Sequence, residues 1–305
     1  MDDFAREPSS VGPDPIERAE HLLDADRYDL AEKLLRRSLA GNPTSAILHL
    51  QMSRAHNGLK NPVEAEREAR EAIACDPELA GAHGYLGYLL SDAGKNREAE
   101  EQFLVALKLE PGSAGLLAGY ASLLFKTGHL DKAEALIRAA LREDPERSHS
   151  HSVLALVLAE KGKQKAAHSH GKIGLALDPS NDVSHLALGA SYLGSGHPFK
   201  ARRHLREALR IDSSDASAEQ AFLDADRACR LTYLPLYHWS LVIDKLPGKQ
   251  FAVWGAIVVF LMVARSAKIP SMVTGWIAFS YLGFCVYTWV ADPLTSLWIK
   301  LRPPR

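Results

Sequence analysis

The sequence is poor in the features on which catalysis and metal chemistry are usually built. Its 305 residues hold three cysteines, Cys75, Cys229 and Cys285, too few and too scattered for a disulfide framework or a zinc site. There is no CxxC, no HExxH, no GxSxG and no glycine-rich loop closing on Lys-Ser or Lys-Thr. The glycines at 81, 84 and 87 follow helix packing and give no GxGxxG. The chain therefore reads as no enzyme, with no cofactor and no metal. A basic excess is missing as well: 36 Lys and Arg stand against 37 Asp and Glu, which is not the balance of a nucleic-acid binder. Met1 to Pro15 is acidic and proline-rich, without an apolar core, so it is not a secretory signal. Residues 1–14 are expected to be a disordered lead-in.

What is present is a change of solvent environment along the chain. Up to about Thr232 it is rich in Ala, Leu, Glu, Arg and Lys, a helix-forming mixture. Beyond that point charges thin out, and Trp, Tyr, Phe, Val and Ile take over.

The first part is periodic. Pro43, Pro77, Pro111, Pro145 and Pro179 fall 34 residues apart, with Ser213 at the next place. Each follows a polar or acidic residue: Asn42, Asp76, Glu110, Asp144, Asp178 and Asp212. Proline cannot continue the helix before it and pushes its predecessor out of the α region, so each site is a helix stop followed by a restart. In the same register run Ala31, Ala65, Ala99, Ala133, Ala167 and Ala201. Two further series of small residues are Ser38, Ala72, Ala106, Ala140, Gly174, Ala208 and Ala19, Ser53, Gly87, Ala121, Ala155, Gly189. Small residues at fixed places in both helices of a pair let the backbones approach where they cross. Gly94, Gly128, Gly162 and Gly196 mark the turn between the helices, where a C-cap commonly needs positive φ.

These registered series resemble the tetratricopeptide repeat family, with units near 12–45, 46–79, 80–113, 114–147, 148–181 and 182–215, about two-thirds of the chain. The first unit has Pro15 and Asp26 where later units differ and reads as an atypical N-terminal cap. The sixth lacks the proline. The expected fold is all-α: a right-handed superhelix of six helix pairs over 15–215, a capping helix over 216–232, then a two-helix transmembrane hairpin. Ala218, Phe222, Ala225 and Cys229 form the apolar stripe of the cap.

Where the family often carries Trp, this chain has His49, His83, His151 and His185, with His149, His168 and His170 nearby. Two readings stand. One is a metal chain; the other is an imidazole filling the interhelical space with one nitrogen bonded to the backbone. Equivalent positions in stacked pairs lie about one helix diameter apart, too far for one metal to bridge. Gly171 and Gly174 interrupt the second helix of the fifth unit, which makes that unit the expected weak joint. The alternative is that these glycines admit the bulk of His151.

After an interfacial stretch over 233–249, the chain has 14 uncharged residues from Phe251 to Ala264 and 23 from Ile269 to Ala291. The second run is long enough to span a bilayer, which takes about 20 residues. The expected hairpin covers 250–291, with helices near 250–265 and 269–291. Trp254, Trp276, Tyr281, Tyr287 and Trp289 add an interfacial aromatic enrichment. Arg227, Arg230, Lys245 and Lys249 precede it, Lys300, Arg302 and Arg305 follow in a basic amphipathic tail (292–305), and the connector holds only Arg265 and Lys268. The positive-inside preference then puts repeats and tail in the cytoplasm. The closing WVADPL pattern (289–294) is similar to that of bacterial inner-membrane-anchored repeat proteins of unassigned function.

The family resemblance implies a concave face lined by the first helix of each pair. By register that lining includes Ile47, Leu50, Arg54 and Asn57, then Tyr85 and Tyr88, then Ser122, Phe125 and Lys126, and farther on Leu156, Val183, Leu186 and Leu193. Tyr85, Tyr88 and Phe125 would form an aromatic centre with space left around them by glycines 81, 84, 115 and 119, and Arg54, Asn57 and Lys126 would stand at its edges. The Lys/Asn clamp by which chaperone-binding members hold a C-terminal carboxylate is absent from the matching positions. Two functions remain open: a scaffold that recruits a protein or peptide to a membrane, or an assembly subunit of a larger membrane complex. In the second, Gly275, Ala278 and Gly283 would pack against other spans.

Overall fold

A computed structural model describes residues 14–213 and 215–229. Among them there are thirteen α-helices and no strand. The chain divides after Glu146 into two compact units. The first holds α1 (Pro15–Asp24), α2 (Tyr28–Gly41), α3 (Ala46–Gly58), α4 (Pro62–Cys75), α5 (Ala80–Asp92), α6 (Asn96–Leu109), α7 (Ala114–Lys126) and α8 (Leu130–Glu143). The second holds α9 (Ser148–Glu160), α10 (Gln164–Leu177), α11 (Asp182–Gly194), α12 (Pro198–Ile211) and α13 (Ala216–Ala228).

The punctuation of the helices follows from the periodic residues. The turn within each pair passes through positive φ at the same repeat position: Gly94, Gly128, Gly162 and Gly196 at 74° to 81°, and Asp26 and Lys60 at 57° and 59°. The turn between pairs explains the acid before proline. Oδ1 of Asp76, Asp144 and Asp178 accepts a hydrogen bond from the backbone N–H two residues on, at 3.0, 3.2 and 2.9 Å. This is an Asx turn folded over the proline.

Packing uses the small-residue series as expected. Ala31, Ala65, Ala99, Ala133, Ala167 and Ala201 are all fully buried, and Ser53 donates to the carbonyl of Ala65 at 2.6 Å where α3 crosses α4. Large side chains then fill the hollows left by glycine. A β-carbon at Gly119 would lie 2.8 Å from the Phe103 ring, and one at Gly189 would lie 2.5 Å from Leu205.

The second unit shows what fills the hollows at the expected weak joint. A β-carbon at Gly171 would stand 3.0 Å from Leu188, and one at Gly174 would stand 2.8 Å from the hydroxyls of Ser152 and Ser184. The glycines admit Leu188 and a serine cluster, not the bulk of His151. In that cluster Ser152 and Ser184 are 2.6 Å apart, and Ser148 donates to the Gly174 carbonyl at 2.9 Å. The hollow is filled, so the glycines contribute close contact rather than slack.

No helix among the described residues is long and apolar enough to cross a membrane. The lead-in, the interfacial stretch, the hairpin over 250–291, the tail and the last residues expected for the cap lie outside the described residues.

Candidate functional site

The six residues singled out for the binding face all lie in the first unit, on α3, α5 and α7, the first helices of consecutive pairs. Four of them form one cluster. Tyr85 and Tyr88 have ring centroids 5.8 Å apart, and the Asn57 side chain hydrogen-bonds the Tyr85 hydroxyl. Arg54 reaches toward α1, with Nη2 3.6 Å from Asp24 and Nη1 donating to Gln51 at 2.9 Å. Gln51 in turn donates to Glu20 at 2.7 Å. At the other edge, Nζ of Lys126 lies 3.8 Å from the Asp92 carboxylate. Each cation therefore carries its own counter-ion from the preceding first helix, and the face between them has little net charge.

The two tyrosines play different parts. Tyr85 packs against the core of Leu89, Phe103 and Leu123, and burial pushes its hydroxyl above the usual tyrosine range. It joins neighbouring pairs rather than standing in an open groove. Tyr88 keeps 47% of its surface exposed, and Phe125 is half-buried.

At two of the four glycines, 84 and 119, the open space expected around them is occupied. Gly84 is filled by Leu116, Gly119 is filled by Phe103, and Gly81 has Leu50 at 3.6 Å from its β position. Ser122 spends its hydroxyl on the Ala118 carbonyl at 3.0 Å. In the second unit Leu186 and Leu193 pack with Leu205, Phe222 and Ala225. The segment after Asp215 thus folds back as α13 over that part of the lining.

The histidine series has a structural account. Nε2 of His49 and His83 donates to the carbonyls of Pro43 and Pro77, both at 3.0 Å, and His185 bonds the Pro179 carbonyl. Each imidazole locks its helix to the turn that precedes it. The other nitrogen meets a side chain 19 residues on, in the second helix of the same pair. His49 meets Glu68 at 2.7 Å and His83 meets Gln102 at 2.8 Å. His151 meets His170 at 3.0 Å and His185 meets His204 at 3.2 Å. Burial raises the Glu68 carboxyl, but its hydrogen bonds from His49 and Arg67 outweigh this and leave it below the usual range.

Sequence reasoning saw the first member of each pair and missed the second, although 68, 102, 170 and 204 keep the same spacing. It also missed the surroundings of Tyr192, which has His168 at 4.7 Å and His204 at 5.5 Å between ring centroids. Among the described residues no group of three ligating side chains could hold a metal ion.

Two tetratricopeptide repeat family models match the chain, over residues 16–80 and 90–157. No protein of curated function matches its sequence. Among solved structures, the APC/C hetero-tetramer Cut9-Hcn1 superposes with a TM-score of 0.60 at 17% identity, over 69% of this chain and 42% of that one. This chain thus spans less than half the length of that relative. A tetratricopeptide repeat protein of Parabacteroides merdae gives 0.55 at 15% identity, over 69% and 82% of the two chains. PilF of Pseudomonas aeruginosa gives 0.50 at 18%, over 68% and 94%. At such identities the likeness is one of fold, and nothing in it points to catalytic activity. Helix pairs of 34-residue period, joined through positive-φ turns and packed on alanine, with family-model matches over residues 16–80 and 90–157, support a place for this chain in the tetratricopeptide repeat family.

Proposed function

We propose that the chain is a membrane-tethered scaffold that recruits a protein or peptide through the first-helix face of its first unit. A tetratricopeptide fold suggests an interaction scaffold in general. The observation that supports this particular face is Tyr88, an aromatic ring left half-exposed between two self-neutralised edges, Arg54–Asp24 and Lys126–Asp92. Exposed aromatics beside a well-packed shelf are the usual carriers of binding energy. Tyr85 and Asn57 hold that shelf, and Phe125 extends it along α7. The tether is the apolar pair of runs within 250–291, and the charge distribution around it leaves the repeats on the cytoplasmic side of a bacterial inner membrane.

The test begins with capture of a partner from detergent extract by the full chain, followed by Tyr88→Ala with Phe125→Ala. Loss of more than about tenfold in affinity, or roughly 1.4 kcal/mol, is expected. Affinity within about twofold of the parent, with helicity intact, removes the face from the reading. A partner that survives these changes but is lost when 250–291 is replaced by an unrelated hairpin supports the assembly-subunit alternative.

A further inference from the structure

The second helices of the two units differ in charge. In the first unit, the outward stripe of α4 carries Val63, Arg67 and Arg70, and acids neutralise it: Arg67 pairs with Glu64 at 2.7 Å and Arg70 with Glu66 at 2.8 Å. In the second unit, α12 carries Lys200, Arg202, Arg203, Arg206 and Arg210 against one acid of its own, Glu207, with Arg202 paired to Asp226 of α13 at 2.9 Å, and α10 carries Lys165 and Lys172 against none. The burial pattern of α12 fixes which residues look outward. Ala201, Leu205 and Ala208 are buried, so the opposite stripe is Phe199, Arg203, Arg206 and Arg210 at i, i+4, i+7 and i+11. Glu207 engages Arg210 at 2.7 Å. Arg203 also lies in the field of Glu207, whereas among the described residues Arg206, Lys165 and Lys172 make no ion pair within 4 Å. Apolar side chains stand exposed among these cations: Phe199 at 61%, Leu177 at 42% and Ile173 at 40%. The two helices hold equivalent places in consecutive pairs, and they approach each other around Tyr192, whose ring meets His168 of α10 and His204 of α12.

We infer that this face of the second unit, built by α10 and α12, lies against an anionic phospholipid surface. Phosphate headgroups satisfy unpaired guanidinium and ammonium groups, while Phe199, Ile173 and Leu177 enter the boundary between headgroups and acyl chains. A nucleic-acid backbone would match the charge but would leave the aliphatic side chains without a contact. Chain continuity supports the lipid: 22 residues, 229–250, separate α13 from the uncharged run that begins at Phe251. Fully extended they reach at most about 80 Å, so the proposed tether keeps α13 and the unit that holds it within that distance of the bilayer. The inference rests on the tether proposed above and adds which face meets the bilayer. Its attraction is electrostatic and falls with salt, because exposed charges are screened within about 8 Å at physiological ionic strength.

The experiment uses the full chain in nanodiscs, with its cysteines replaced and an environment-sensitive fluorophore on Ser169→Cys, an exposed position on the outward face of α10. A label on Ala74→Cys of α4 serves as the reference. In discs with roughly a third anionic lipid, iodide quenching of the Ser169 label is expected to fall at least about threefold relative to neutral discs. The Ala74 label should stay unchanged, and Arg203→Glu with Arg206→Glu should abolish the difference. Equal quenching in neutral and anionic discs overturns the inference while leaving the tether intact. Equal protection by a single-stranded RNA in place of anionic lipid assigns the face to nucleic acid and overturns it too. A chain that washes off membranes in alkaline carbonate fails the tether itself. Flotation of that chain with vesicles then still reads the face, which is refuted if anionic lipid adds nothing.

Discussion

Nδ1 of His185 on α11 lies 3.2 Å from Nδ1 of His204 on α12, a separation at which one ring must be neutral to accept the other's proton. Burial, and then His185 itself, pushes His204 down to about 4, and burial lowers His185. The groups facing His204 are Arg203, His168 and the Tyr192 ring; those facing His185 are Glu207, Arg210, Asp182 and the Pro179 carbonyl. Burial also pushes His149 of α9 down to about 4. A histidine depressed in the folded state binds its proton more readily when unfolded, so stability rises with pH across the window from about 4 to 6.5. Melting followed by circular dichroism should show the chain losing stability as pH falls through that window. His185→Leu with His204→Leu copies Leu117 and Leu136, which occupy the equivalent places on α7 and α8, and should reduce the loss to the share that His149 leaves.

Phe103 sits against two glycines, Gly87 of α5 and Gly119 of α7, and its ring closes the space between successive pairs. Gly119→Ala should therefore destabilise by about 1–3 kcal/mol through overpacking, despite alanine's better helix propensity. Adding Phe103→Leu should recover part of the loss. The double-mutant cycle in denaturant measures the coupling, and simple additivity would mean the ring moves aside freely.

Gly171→Ala follows the same logic in the second unit, where Leu188 stands 3.0 Å from the added methyl. An expected cost of about 1 kcal/mol would mark the site as tightly packed. A gain of the 0.5–1 kcal/mol or so that alanine brings to an exposed helix would restore the weak-joint reading.

Lys60 occupies φ 59° at the turn that glycine serves in four later pairs. A left-handed residue with a β-carbon costs about 1–2 kcal/mol, partly offset because glycine adds about 0.4–1 kcal/mol of unfolded-state freedom. Lys60→Gly should raise the denaturation midpoint slightly, by less than about 1 kcal/mol in stability. Gly94→Ala should lower it, although open space surrounds that position and only the φ of 75° opposes the change.

The proposed topology is open to cysteine labelling from outside the cell in a cysteine-free background. A cysteine at Ser266 in the short connector should react, and one at Ser10 should be spared. Labelling of Ser10 from outside would reverse the orientation.

Much of the architecture was present in the order of the residues. Proline, the acid before it, turn glycine and buried alanine act through the backbone and its nearest neighbours, so a 34-residue spacing of these types is enough to set helices, turns and crossings. The outward stripe of α12 was likewise implicit in its helical period. Other features depend on what a side chain meets from another helix. Tyr85 and Tyr88 are one residue type three positions apart, yet one is packed against a buried cluster and the other stays half-exposed. Glycines 84 and 119 looked like open space and Gly171 like part of a weak joint, yet they are filled by Leu116, Phe103 and Leu188, each reaching in from a neighbouring helix. The histidines showed their spacing in the sequence, but only the pairing of helices brought His185 to His204 and His49 to Glu68. Period and propensity are local, and they fix where the helices begin and end. Exposure and charge state belong to the space between helices, which is decided when the side chains of neighbouring pairs compete for it.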